Sequence, residues 1–224
     1  MPFFSIIIPA HNEEGYIRET LHSINSSTYQ NFEVLVVANG CTDKTEEIVR
    51  KRADERVKLF SLAEANVSKA RNFGADLAQG EILLFLDADT KLHAHSLQRI
   101  ATDFKNGFSY GTTRTVPDRE GLKYSVMLGL KNFYLRTGVY KGCSGAFICK
   151  KNDFVDVKGY NPDMQIREHH ELIKRLGDKG KYAFIDTPVT TSMRRYAEWG
   201  MPKWAWFWVK SWALNRKKEY EKIR

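Results

Sequence analysis

Short apolar runs alternate with helix-patterned segments from the first residues, and this alternation restricts the chain to a βαβ architecture. Phe3 to Pro9 (FFSIIIP) is a β-branched apolar run and reads as a buried strand. Asn12-Glu13-Glu14 is a helix-start signal, and the helix after it carries Ile17, Leu21 and Ile24 on one face. Phe32 to Val37 reads as a second buried strand. Thr42-Asp43 can cap a helix that turns Ile48 and Val49 inward. Val57 to Phe60 is a short third strand. Ser68 to Leu77 reads as a helix with Ala70, Phe73 and Leu77 on its apolar side. Glu81 to Leu86 is a fourth strand, and a helix from about Ala94 to Lys105 follows it. The pattern predicts an α/β fold with a mostly parallel central sheet flanked by helices. Such sheets bind ligands at the carboxyl ends of their strands.

The second half is less regular. Tyr110 to Val116 reads as a strand, Leu122 to Arg136 as a helix, and Gly142 to Lys150 as a loop entering a strand. Arg167 to Leu176 reads as a helix ending at Gly177, and Tyr182 to Ile185 as a strand. No repeat, low-complexity segment or linker interrupts this order. Residues 1–200 are therefore expected to form one domain, and a hydrophobic content of 42% suits its core.

Charge separates the rest. The net charge is +8, and residues 203–224 hold seven Lys/Arg against two Glu, so the body before them is nearly balanced. Residues 201–224 (MPKWAWFWVKSWALNRKKEYEKIR) place Trp204, Phe207, Trp208 and Trp212 on one helical stripe. Tryptophan beside Lys/Arg is the composition of an amphipathic helix lying in a membrane interface. The same segment also reads as a helix packed on the domain or on a second copy. No run of about 18 apolar residues exists to span a bilayer. Three cysteines, Cys41, Cys143 and Cys149, form no disulfide framework or paired metal-ligand motif. With no secretory signal pattern, they suggest a reducing, cytoplasmic setting, peripheral to a membrane.

The chemistry concentrates at the strand ends. Asp87-Ala88-Asp89 follows the fourth strand, and extended alternation would set both carboxylates on one side. Two hard oxygen ligands suit Mn²⁺ or Mg²⁺ that shares phosphate oxygens. Alone, the tripeptide also reads as an acidic turn. Three further segments belong to the same array: Ile6 to Glu13 (IIIPAHNE), Val36 to Thr45 (VVANGCTDKT) and Asn66 to Gly74 (NVSKARNFG).

In order and spacing these segments resemble the second family of glycosyltransferases, whose members are inverting enzymes with the GT-A fold. The resemblance covers roughly residues 3–200. It implies a nucleoside-diphosphate sugar as donor, a hydroxyl or phosphate acceptor, and Mn²⁺ or Mg²⁺ as cofactor; the acceptor is expected to be lipid-linked or a glycan, and a lipid-linked one would account for the basic tryptophan-rich tail. Pro9, His11, Asn12 and Glu13 stand where the family holds the nucleotide. Asn39 replaces an Asp that reads the base, and an amide can donate as well as accept. Asp87 is implied near the ribose, Asp89 as the metal ligand with Asp87 beside it, and Arg71 near the phosphates. Gly142, Cys143, Ser144 and Gly145 stand beside the donor sugar and acceptor. Arg167-Glu168-His169-His170-Glu171-Leu172 replaces the family's Glu-Asp-x-Asp-Leu, with His169 at the position of the catalytic base. Three readings follow: His169 is the base, Glu168 has taken the role, or an anionic acceptor needs none. Arg195, after Arg194 and before Tyr196, echoes an Arg-aromatic element near the diphosphate.

Two other classes compete. A sugar nucleotidyltransferase needs a Gly-rich loop after strand one, and no glycine occurs there before Gly15. A non-catalytic membrane- or glycan-binding relative would explain His169 and Asn39, but not the intact Asp87/Asp89 pair. No motif supports nucleic acid as a partner.

Overall fold

A computed structural model describes residues 3–143, 145–164, 166–198, 200 and 206. Its first half follows the expected alternation: β1 (Phe4–Ala10), α1 (Ile17–Asn25), β2 (Phe32–Asn39), α2 (Thr45–Arg50), β3 (Val57–Leu62), α3 (Val67–Leu77) and β4 (Ile82–Leu86). Then come β5 (Thr90–Leu92), α4 (Ser96–Lys105), β6 (Phe108–Pro117), α5 (Leu122–Arg136), β7 (Ala146–Lys150), α6 (Lys151–Asp156), α7 (Glu168–Leu176) and β8 (Lys181–Thr191). One eight-stranded sheet has the order β3-β2-β1-β4-β7-β6-β8-β5.

The β3-β2-β1-β4 half is parallel, as the alternation requires. The other half is mixed: β7 runs antiparallel to β4 and β6, β5 runs antiparallel to β8, and only β6 and β8 pair in parallel. The expected mostly parallel sheet is thus a mixed one. β7 enters from a loop that follows α5, and its direction is set by pairing with β4 rather than by a crossover. β5 and α6 are too short to leave a periodic signal.

Helices cover both faces, which explains the unbroken apolar strands. In β1, Ile6 and Ile8 point into one core with Ile17, Leu21 and Ile24 of α1, whereas Ile7 points into the other with Leu35 and Phe85. The buried side of α3 is not the expected Ala70/Phe73/Leu77 stripe. Leu77 is 41% exposed, and Ser68, Ala70, Arg71, Gly74 and Ala75 face inward. Small residues are needed there because a Cβ on Gly74 would lie 2.5 Å from Ile7 Cγ2. Nor do Asn12 and Glu13 cap α1, whose N-cap is Tyr16 without a side-chain bond.

Candidate active site

The loops after β1 and β2 are stitched together, which freezes the pocket's first wall. Asn12, at φ +51°, donates from Nδ2 to Thr42 Oγ1 at 2.9 Å and accepts from the Thr42 amide at 2.7 Å. The Glu13 amide donates to Thr45 Oγ1 at 2.7 Å. Asn39 Nδ2 donates to the Ala10 carbonyl at 2.9 Å, a bond that an Asp at this position could not make. The Asn39 carbonyl in turn meets His11 Nδ1 at 2.5 Å. The N-cap of α2 is Lys44 without a side-chain bond, not Thr42 or Asp43, although Asp43 Oδ1 accepts from the Thr45 amide at 2.9 Å just before the helix.

β4 ends at Leu86, and Asp87 and Asp89 sit on a turn closed by the Thr90 amide and Asp87 carbonyl at 3.0 Å. A turn, not extended alternation, therefore brings both carboxylates to the cleft. β5 continues at once and pairs Thr90 with Thr191 of β8. That pairing carries the chain after β8 to the acidic turn. Arg194 then ion-pairs with Glu13 at 2.5 Å and Asp89 at 3.4 Å, and lies over the Tyr16 ring at 4.4 Å. Leu86 pairs with Ala146 of β7, so Cys143 and Gly145, which precede that strand, border Asp87 from the other side. Gly145 holds φ +75°, and a Cβ there would meet Val189 Cγ2 at 2.7 Å.

The far wall is held by α3. Asn66 Nδ2 donates to the Pro162 carbonyl at 2.9 Å, and Ser68 Oγ donates to the Met164 carbonyl at 2.6 Å. Asn72 bonds both the carbonyl and the amide of Tyr160, at 2.7 and 2.8 Å. The polar residues of NVSKARN thus clamp the segment that leads into α7. α7 starts after Arg167, which adopts a left-handed conformation at φ +63°. Its first residues are Glu168 and His169. Arg71, only 4% exposed, spans the gap: it donates to Glu168 Oε1 at 2.8 Å and to Asp87 Oδ1 at 3.1 Å. Burial opposes the Arg71 charge, but Glu168 foremost, with Tyr160 and Asp87, holds its pKa above the usual guanidinium value.

His169 is held neutral. Burial first, then the charges of Arg71 and Lys131, push its pKa well below the ordinary value. Its Nδ1 lies 3.0 Å from the Tyr160 hydroxyl, and its Nε2 lies 3.9 Å from Glu168 Oε1. A carboxylate facing Nε2 favours the proton there, which leaves Nδ1 to accept from Tyr160.

These walls enclose a cleft of 430 Å³. Pro9, His11, Asn12, Glu13, Asn39, Arg71, Asp87, Asp89, Cys143, Gly145, Glu168, His169 and Arg195 all line it. Gly142 does not; its carbonyl accepts from the Tyr182 hydroxyl at 3.1 Å behind the cleft. Ser144 lies outside the described residues. The cleft also holds Lys131 of α5, which the sequence did not single out, and Arg194, which it named only beside Arg195. The Arg-Arg-Tyr string pointed to Arg194, but only the β5–β8 pairing shows that it faces the acids.

The cleft's acidic end fits a divalent cation. Among the described residues no three His, Cys, Asp or Glu side chains form a metal cluster by themselves. However, Asp89 is pushed up to about 7 by burial and then by Asp87. Glu13 is also raised, by burial foremost, and its Oε2 is buried without a partner. Excess negative charge balanced mainly by Arg194 is the condition that a hard cation sharing ligand phosphates would relieve.

Comparison with known proteins places the fold. Residues 5–160 match the family model described as Glycosyl transferase family 2. Glycosyltransferase AglE of Haloferax volcanii is 40% identical over 104 residues, 44% of this chain and 34% of AglE. The chain spans less than half the length of such curated relatives. The crystal structure of S. aureus TarS 1–349 in complex with UDP-GlcNAc superimposes with a TM-score of 0.69 at 22% identity, covering 87% of this chain and 59% of that one. Mannosyltransferase PcManGT from Pyrobaculum calidifontis, in complex with GDP-Man and Mn²⁺, gives 0.71 at 21% identity, covering 98% and 66%. The fold is therefore the GT-A fold of these transferases.

Proposed function

Because the chain belongs to glycosyl transferase family 2, we propose that its cleft moves a sugar from a nucleoside-diphosphate donor to a hydroxyl or phosphate acceptor by one inverting displacement. The observation that carries this reading is convergence. The ends of β1, β2 and β4, Cys143 and Gly145 before β7, and the start of α7 all meet at one cleft rich in polar groups. Residues 1–200 would form the catalytic domain. Pro9, His11, Asn12 and Asn39 would hold the nucleoside, with Arg71 and Arg195 toward the phosphates. Asp89, with Asp87, would hold Mn²⁺ or Mg²⁺, which when bound supplies charge neutralisation for the diphosphate. Arg194 would have to give up part of its pairing with Asp89. Cys143 and Gly145 would border the sugar and acceptor.

Glu168 is the residue assigned to deprotonate an acceptor hydroxyl. Its Oε1 is held by Arg71, and its carboxylate lines the cleft at the start of α7. His169, neutral and already bound to Tyr160, is a weak base and supports Glu168 instead. Glu168→Gln is expected to lower kcat roughly 100-fold with little change in donor KM. A loss under about threefold would mean that the acceptor arrives already anionic, as a phosphate does.

The acceptor is proposed to be lipid-linked or a glycan, and the setting the cytoplasmic face of a membrane. Unpaired cysteines support that setting. Among the described residues no helix is long and apolar enough to cross a membrane. The stripe of Trp204, Phe207, Trp208 and Trp212 lies outside the described residues, which include only residue 206 of this segment. Calorimetric titration with UDP and GDP, each with and without Mn²⁺, tests the donor site. Metal-dependent binding of one nucleotide is expected, and binding of neither would overturn the reading.

A further inference from the structure

α5 is apolar on two opposite faces. On its inner face Tyr124, Leu128 and Leu135 are buried, with Tyr124 and Leu128 packed beside Met193. On the other, Leu122, Val126, Leu130, Phe133 and Tyr134 are each at least 51% exposed. Helical spacing puts these five on one continuous arc. The loop that follows adds Val139, at 80% exposure. Isolated exposed leucines are ordinary, but a contiguous stripe of this length marks a contact surface.

The charges around the stripe select the partner. From residue 121 to 143 the chain holds Lys123, Lys131, Arg136 and Lys141 and no acidic residue. Lys123 shares the exposed arc, and among the described residues Arg136 has an ion pair only with Asp186, at 4.0 Å. Large apolar side chains with a tyrosine and interspersed cations fit the headgroup boundary of an anionic bilayer. The same helix lines the cleft through Leu128 and Lys131.

We propose that the outer face of α5 and the loop after it dock the protein on an anionic membrane, with the cleft beside the headgroups. A lipid-borne acceptor would then reach the cleft along the side of α5. This last step rests on the transfer reading above, whereas the docking itself does not.

The test is co-sedimentation of the full chain with phosphatidylcholine vesicles, with and without phosphatidylglycerol. The wild type is expected to partition onto the anionic vesicles, and Leu130→Glu/Phe133→Glu to lower that partitioning about tenfold or more. Both side chains face solvent, so the variant should keep the wild-type melting temperature and its nucleotide titration. Wild-type protein that ignores the vesicles overturns the proposal. So does a variant that partitions like wild type, which would assign membrane contact to residues 201–224. A variant that only breaks a dimer in sedimentation velocity would assign the face to a second copy. Lost partitioning with nucleotide binding intact supports docking. Absent nucleotide binding in the wild type removes the transfer reading and leaves the docking result standing.

Discussion

Replacing Arg71 with methionine is expected to lower the unfolding free energy by ~3–5 kcal/mol. Methionine fills a similar volume, so packing on the Tyr160 ring, 5.3 Å from the guanidinium, is largely kept. What disappears is the counter-charge. Glu168 is 13% exposed at the side chain and has Arg71 as its close guanidinium partner. Asp87, half-exposed, would be hydrated instead and contributes less. A stranded buried carboxylate costs far more than the intact pair contributes. Total stability for a domain is about 5–15 kcal/mol, so the loss should be visible as a large shift in the urea midpoint. Arg71→Met/Glu168→Gln should recover a good part of it, because the stranded charge is then gone. A single-variant loss below ~1 kcal/mol would show that Arg71 and Glu168 are hydrated rather than paired. The arrangement links the two walls: Arg71 leaves α3, touches the turn after β4, and fixes the first residue of α7.

That linkage marks the limit of what could be read from the residues alone. β1 to β4 were legible because each is a continuous apolar run bounded by polar turns, a signal contained in a few neighbouring residues. The clustering of Pro9–Glu13, Asn39 and Asp87–Asp89 was legible for the same reason: parallel strands must end on one edge. Other features depend on residues far apart in the chain. Asn72 meets Tyr160 across 88 residues, and Arg194 meets Glu13 across 181. No local pattern announces either contact. Asn12 and Glu13 look like helix-capping residues, but their side chains and amides are drawn instead to Thr42 and Thr45 of the neighbouring loop. α3 was misread in its buried face because close approach to β1 favours glycine and alanine over the larger Phe73 and Leu77. The exposed stripe of α5 is the reverse case. Periodicity finds the helix, but only the structure shows which apolar face has been left outside.

Asp89→Asn is expected to move stability and function in opposite directions. In the metal-free protein Asp89 is pushed up to about 7, by burial and then by Asp87, from an ordinary value of 3.8. Between those two values the folded chain holds a proton that the unfolded chain has released. Stability therefore falls as pH rises from 3.8 toward 7, and the contribution is lost above it. Asparagine keeps the shape without the charge, and Arg194 retains Glu13 as its partner. The variant should flatten that slope and gain at least ~1 kcal/mol near neutral pH. The same change removes a hard oxygen anion from the end of the cleft where a cation would sit. Mn²⁺-dependent nucleotide binding should be lost in calorimetry, and turnover should drop roughly 1,000-fold. A carboxylate with a purely structural role would give the opposite pair of results, a loss of stability with nucleotide binding retained. A protein that keeps a destabilising buried charge at the mouth of a polar cleft is expected to need that charge for its ligand.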